Sequence, residues 1–461
     1  MTVLQRIQIA ASSHRKWSMR PGLGTGPRPG APVRTIARAL VVAVLAIAQS
    51  PAPVAAAGSA YYVDCSTGND ARSGRSTALA WRSIAKANAA QLQPGDRLLF
   101  KRGCRWTGPL NARWNGLPGA PITIEAYGKG ALPKIENARD NIVVTGSYLT
   151  FRRLHTRANP VGHDASCGNQ PFGWIVGWRF MSGSAHNVVL QSKAQGLYMG
   201  VYIASGSHDN KILTTTFIDN NVADAVDSVS GGMAVVIHGD RNEVADNVIS
   251  GSDTCSRRYG RDGSAVEIFG GQNNNIHHNR AINNNTFVEL GHSRTANNTI
   301  AYNVVTSDLA IATFLVARGA QDTSWGPTLN TRAYNNSVYL SGAESFGVVC
   351  GGGCNAQILT FKNNIVWSRD RIAWVDSTWA ESNNVWWSPG GPRVWFPMSP
   401  SSVAADPRFV DGSAGKLRLM NNSPAVNAGT MESLSQGYSL DFLSIAVPQQ
   451  NAVDIGAFEN R

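Results

Sequence analysis

This chain has no long hydrophobic run. Of its 461 residues the longest apolar stretch, Ala39 to Ala48, is about ten residues, half of the roughly 20 that a membrane-spanning helix needs. Charge is also scarce, at 15% Asp, Glu, Lys and Arg. The formal balance is +11, but residues 1 to 57 hold seven bases (Arg6, Arg15, Lys16, Arg20, Arg28, Arg34 and Arg38) and no acid, so 11 − 7 leaves +4 on the remainder. So weak a bias over about 400 residues gives no electrostatic footprint for nucleic acid. Helical periodicity is nearly absent from about residue 185 to 365, which points to an all-β region there. No CxxC pair with matching histidines occurs, so the cysteines do not form a zinc site.

The features that are present point first to export. Arg34 and Arg38 precede the short apolar run, and the small residues Val54-Ala55-Ala56-Ala57 follow it, the order of a signal peptide with cleavage expected near Ala57. Met19 is an alternative start that changes nothing downstream. All six cysteines lie beyond the signal. An even number in an exported chain points to disulfides, with 15 connectivities open. The expectation is a secreted, extracellular monomer with no membrane contact after cleavage and no nucleic-acid partner.

From about residue 185 to 365, short β-branched runs alternate with Asn, Gly and Asp. A six-residue pattern opening on Asn recurs at Asn210 (NKILTT), Asn242 (NEVADN), Asn274 (NNIHHN), Asn298 (NTIAYN) and Asn330 (NTRAYN), and a degenerate copy ends at Asn363. The intervals are 32, 32, 24 and 32 residues, too short for propeller blades and suited to stacked coils of three short strands. Asn fits the corners because it tolerates left-handed backbone and can stack its amide on the next coil's Asn. These features predict an all-β, right-handed parallel β-helix. Upstream, Trp81 to Leu92 reads as an amphipathic helix with Trp81, Ile84, Ala85, Asn88 and Leu92 on one face, ended by Pro94-Gly95, and placed to cover the open first coil.

The segments YYVDCSTGND, WRSIAKAN, PGDRLLFKRG and PITIEAYG, with DPRFVDGSAGKLRLMNNSPAVNAG and DIGAFEN near the other end, resemble bacterial right-handed parallel β-helix proteins of the pectate-lyase-like superfamily. The resemblance spans nearly all of the chain after the signal. It implies the fold and export without naming the reaction, since this scaffold carries lyases, hydrolases, transferases and non-catalytic binders. The expected division is a signal at 1–57, an N-terminal cap and first coils at 58–130, the β-helix at 131–405 and an irregular C-terminal cap at 406–461. Proximity in such a fold pairs Cys65 with Cys104, Cys167 with Cys255, and Cys350 with Cys354.

Strand alternation then locates chemistry. In Val266-Glu267-Ile268 and Val288-Glu289-Leu290 the apolar residues face inward and the glutamates outward, 22 residues apart, about one coil. Stacked carboxyls at roughly 5 Å have the separation of a retaining glycosidase pair, and their repulsion raises one pKa toward that of a general acid. Asp262 in the preceding turn is a third carboxylate, the equivalent outward positions on earlier coils are Val236 and Tyr202, and His238, His292 and Arg318 complete the patch. Glu267, Glu289 and Asp262 are therefore the candidate catalytic residues, and His238, His292, Arg318 and Tyr202 the candidate substrate contacts.

Hydrolysis needs no cofactor. A lyase on the same scaffold would use the three carboxylates to hold Ca²⁺ beside a uronate, with Arg318 or His292 as base, and a glycan-binding surface protein would need no chemistry at all. A second acidic group, Asp219, Asp224 and Asp227, reads mainly as a solvated loop. His277-His278 reads as structural. Trp174, Trp178, Trp386, Trp387 and Trp395 are candidates for stacking on sugars or for core.

Overall fold

The computed structural model describes residues 58–158, 173–222, 230–256, 259–450 and 452–460. The expected export signal therefore lies outside the described residues, as do Asp224, Asp227 and the Cys167 half of the expected Cys167–Cys255 pair. Three long parallel sheets of 12, 11 and 10 strands wind together into a right-handed β-helix. The first runs from Ala60–Val63 to Ala380–Ser382, the second from Arg105–Thr107 to Val385–Trp387, and the third from Leu110–Ala112 to Arg371–Val375.

The winding follows from the alternation of side chains. One row of the third sheet, Trp178, Val201, Val235, Val266, Val288, Leu315 and Val348, is in register and wholly buried, whereas the neighbouring positions face outward. A stack of apolar rows from the three sheets makes one continuous core along the axis.

Two buried Asn ladders hold the corners. In the first, Asn187, Asn210, Asn242 and Asn274 each use the backbone N–H and Nδ2 to donate to Oδ1 of the Asn on the next coil, ending on Asn298, at 2.8–3.1 Å. The second joins Asn247, Asn279, Asn303, Asn336, Asn364 and Asn384 in the same way. Of the two reasons for Asn read from the sequence, pairing of its amide with the Asn of the next coil is the one these ladders show. Left-handed backbone falls on the residue before each ladder position, at His186, Asp209, Arg241, Asn273 and Asn297, while the ladder Asn saturates the buried amides of the corner. The expected register also slips by one residue late in the repeat. Asn330, Asn335 and Asn363 are the left-handed residues, and the positions in the ladder rows are Thr331, Asn336 and Asn364.

The N-terminal helix is shorter than expected, Ile84–Ala89, with the Ser83 hydroxyl accepting the Lys86 N–H at 3.1 Å. Ala90 is already extended and Pro94 disfavours helix in the residues just before it. Ile84 and Ala87 are buried and Ala85 is exposed. Asn88 latches the helix to the strand Leu110–Ala112 through Pro109 O and the Asn111 N–H. Disulfides Cys65–Cys104 and Cys350–Cys354 form as expected.

At the other end Trp379, Trp386 and Phe396 close the core. The segment after residue 406 packs on Val385 and Asn383 of the last coils and runs back along the flank. Tyr438 packs on His277, His278 and Tyr302, and Ala457 N–H donates to Ser337 Oγ. No helix among the described residues is long and apolar enough to cross a membrane.

Candidate functional site

The outward row of the third sheet reads Val143, Arg179, Tyr202, Val236, Glu267, Glu289, Val316, Val349 and Trp374, one residue per coil. Glu267 and Glu289 are thus direct neighbours, about 4.8 Å apart at the backbone. The parallel row two residues on places His238, Phe269, Gly291 and Arg318 beside them. These rows line a cavity of about 390 Å³ that also takes in Asp262, Trp174, Tyr198, Tyr259 and Trp325.

The two glutamates have unlike surroundings. Arg318 Nη2 donates to Glu289 Oε1 at 2.6 Å, so Glu289 has a countercharge. Among the described residues no cation pairs with Glu267, and its pKa is pushed well above the usual carboxylate range, first by removal from water, then by the charges of Glu289 and Asp262, against a smaller opposing effect of Arg318. A partly exposed face of Glu267 opens on the cavity while protein surrounds the rest. Asp262 is buried and accepts the Gly231 N–H at 2.9 Å.

An aromatic wall faces the carboxylates. Trp174 meets Tyr198 and Tyr202 at ring separations of 5.6 and 6.1 Å, Tyr202 meets His238 at 5.2 Å, His238 meets Phe269 at 5.6 Å, and Phe269 meets Trp325 at 6.0 Å. Arg179, tied to Asp140 at 2.8 Å, lies over the Trp174 and Tyr202 rings. Burial, followed by the proximity of His292, lowers the pKa of His238. It is therefore neutral at neutral pH and can serve as a hydrogen-bonding side chain.

The structure gathers Glu267, Glu289, Asp262, Arg318, His238 and Tyr202 in one cavity. His292 stands at its edge, exposed, with its ring 5.2 Å from Phe269 and its Nδ1 accepting the Arg294 N–H. Of the tryptophans, Trp174 lines the cavity, Trp178 and Trp386 are core, and Trp395 is 73% exposed near the C-terminal end of the coils. Trp387 is half-buried.

Sequence reasoning missed Phe269, Tyr198, Tyr259 and Trp325. Phe269 was within reach of the alternation that found Glu267, being the next outward residue. Trp325 sits in the long excursion between Ile311–Arg318 and Thr331–Tyr334, where no periodicity applies.

No family model matches the chain. A lacto-N-biosidase of Bifidobacterium longum is 37% identical over 103 residues, covering 20% of this chain and 6% of that protein, so the chain spans only a small part of that relative's length. Among solved structures, pectate lyase Pel9A superposes with a TM-score of 0.59 at 19% identity over 87% of this chain and 96% of that one. A lacto-N-biosidase of Eubacterium ramulus gives 0.42 at 13% identity over 71% and 67%. The strand order, the register and the match along nearly the whole of Pel9A make this chain a right-handed parallel β-helix with the pectate-lyase-like fold.

Proposed function

We propose that this protein is an exported carbohydrate-active enzyme, a glycoside hydrolase that cuts a neutral glycan with retention of configuration, with Glu267 as acid and base and Glu289 as nucleophile. The observation that carries the reading is the stacked pair, in which burial in a cavity raises the pKa of one carboxyl and its neighbour is ion-paired to Arg318. Glu267 donates its proton to the glycosidic oxygen as the bond from that oxygen to the anomeric carbon breaks. Glu289 attacks the anomeric carbon to form a glycosyl ester, and water, deprotonated by Glu267, then displaces Glu289. Both carboxyls return to their starting states. The aromatic wall supplies apolar faces for sugar rings. The disulfides fit an oxidising, extracellular compartment.

A calcium-assisted lyase ranks second. Three donor groups come within 4.8 Å of one another at two places among the described residues, Asp64 with Cys65 and Cys104, and His186 with His208 and Asp209. Asp262, Glu267 and Glu289 are not such a set, and Arg318 already occupies Glu289. No lysine lines the cavity among the described residues, and a uronate would add a fourth carboxylate to three.

The test is incubation of the mature protein with neutral and uronate-containing glycans, with and without a calcium chelator. Release of reducing ends without ultraviolet absorbance of unsaturated sugars, abolished by Glu267→Gln, is the expected result. Chelator-sensitive absorbance would overturn hydrolysis in favour of the lyase. Binding without turnover that Glu267→Gln leaves intact would mean a non-catalytic binder.

A further inference from the structure

The second sheet carries an outward feature that hydrolysis does not use. Its register sets Lys134, His155 and Lys193 directly opposite one another on three successive coils, with Arg157 two residues beyond His155 on the same face. The intervening residue, Thr156, points into the core row with Ile135 and Ala194, so all four side chains lie on the outside. Neighbouring coils are about 4.8 Å apart, and like charges at that spacing oppose each other on a β ladder.

Little compensates them. Among the described residues no acceptor is hydrogen-bonded to the side chains of Lys134, Arg157 or Lys193. Glu136, directly opposite Arg157, is ion-paired to Arg105, and Asp219, which lines a pocket with Arg157, acts on Lys193 through its charge. Although it faces outward, His155 is only 7% exposed, and its Nε2 is buried without a partner among the described residues. Burial, followed by the charges of Lys193, Lys134 and Arg157, holds its pKa down to about 4, so a neutral imidazole with an unsatisfied nitrogen sits amid three cations.

We propose that Lys134, His155, Arg157 and Lys193 form an oxyanion-binding site for a carboxylate or sulfate group, separate from the carboxylate-lined cavity on the third sheet. Two lysines and an arginine supply the charge, and the Nε2–H tautomer of His155 supplies a buried donor. A bound anion removes the repulsion within the row and satisfies the orphan nitrogen. The cavity with three carboxylates suits neutral sugar and this row suits an anion, so the two faces would take different parts of a mixed glycan or different ligands altogether.

The test titrates sodium sulfate into the full mature protein while the ring nitrogens of His155 are followed by NMR. The expected result is a saturable shift, together with titration of His155 at higher pH when sulfate is bound. Lys134→Gln with Lys193→Gln should weaken binding at least tenfold, whereas Lys134→Arg with Lys193→Arg, which keeps the charge and guards against misfolding as the explanation, should keep it. No saturable shift, or equal affinity in the Gln and wild-type proteins, overturns the site. Retention on immobilised polygalacturonate that the Gln pair abolishes would assign the anion to an acidic glycan. Sulfate binding without such retention would assign it to a small free ion. Glu267→Gln should change neither readout, so failure of the hydrolase reading leaves this inference standing.

Discussion

Replacing Glu289 by Gln should make Glu267 a stronger acid. The two residues are register partners on adjacent strands, about 4.8 Å apart. At an effective dielectric near 20, two unit charges at that separation interact by about 3.5 kcal/mol, roughly three-hundredfold in proton affinity. Glu289→Gln removes that repulsion while leaving burial and Asp262 in place, so Glu267 should remain above the ordinary carboxylate range but titrate at lower pH than in the wild type. Arg318→Gln should act in the opposite direction, because the positive charge of Arg318 opposes the upward shift. The assay is the carboxyl carbon resonance of labelled glutamate followed against pH in the wild type and both variants, with Glu267→Gln assigning the signal. If Glu267 titrates at the same pH in all three, the carboxyls do not sense each other and the acid–nucleophile pair is wrong, whatever the activities are.

Three further outcomes are expected. Glu267→Gln should lower kcat by two to four orders of magnitude with KM little changed, the size of effect ascribed to a general acid; a loss of less than tenfold on a substrate with a poor leaving group would remove Glu267 from that role. Asn279→Ala should cost about 2–5 kcal/mol in urea unfolding, because it orphans the buried Asn247 N–H and leaves Val244 O without its ladder donor; a cost below about 0.5 kcal/mol would mean that the ladder is dispensable. Glu459, buried first and then pressed by Asp454 and Asp441, has its pKa raised from 4.5 to about 7. The unfolded chain loses this proton before the folded one, so stability should fall as pH rises from about 4.5 to 7 and then level, by up to about 3 kcal/mol. Glu459→Gln should flatten that slope, and an unchanged pH dependence of the melting temperature would refute the assignment.

Much of this protein was legible in its sequence because a solenoid is close to one-dimensional. The β-branched runs and recurring Asn reported the coil, and strict two-residue alternation then fixed which side chains stack. That logic brought Glu267 over Glu289, and put Tyr202 and Val236 on the coils before them and Arg318 beyond, without any knowledge of long-range contacts. It failed wherever the local period is broken. The slip arose because Asn also occupies the left-handed position before the ladder, ahead of Thr331 at Asn330 and ahead of a ladder Asn at Asn335 and Asn363, and only the backbone conformation shows which residue is left-handed. Trp325 and Tyr259 reach the cavity from excursions whose path no repeat dictates, and the segment after residue 406 could be recognised as irregular but not as a strap along the flank. The unequal environments of the two glutamates were likewise invisible, since they depend on how deeply a side chain is desolvated and on whether a guanidinium two residues further along the next coil turns back to one carboxylate. Periodicity determines neighbours along a ladder. Burial and the direction of a long side chain are set by packing in three dimensions, so the sequence determined which residues meet and the tertiary structure decided how differently the two carboxyls are desolvated and paired.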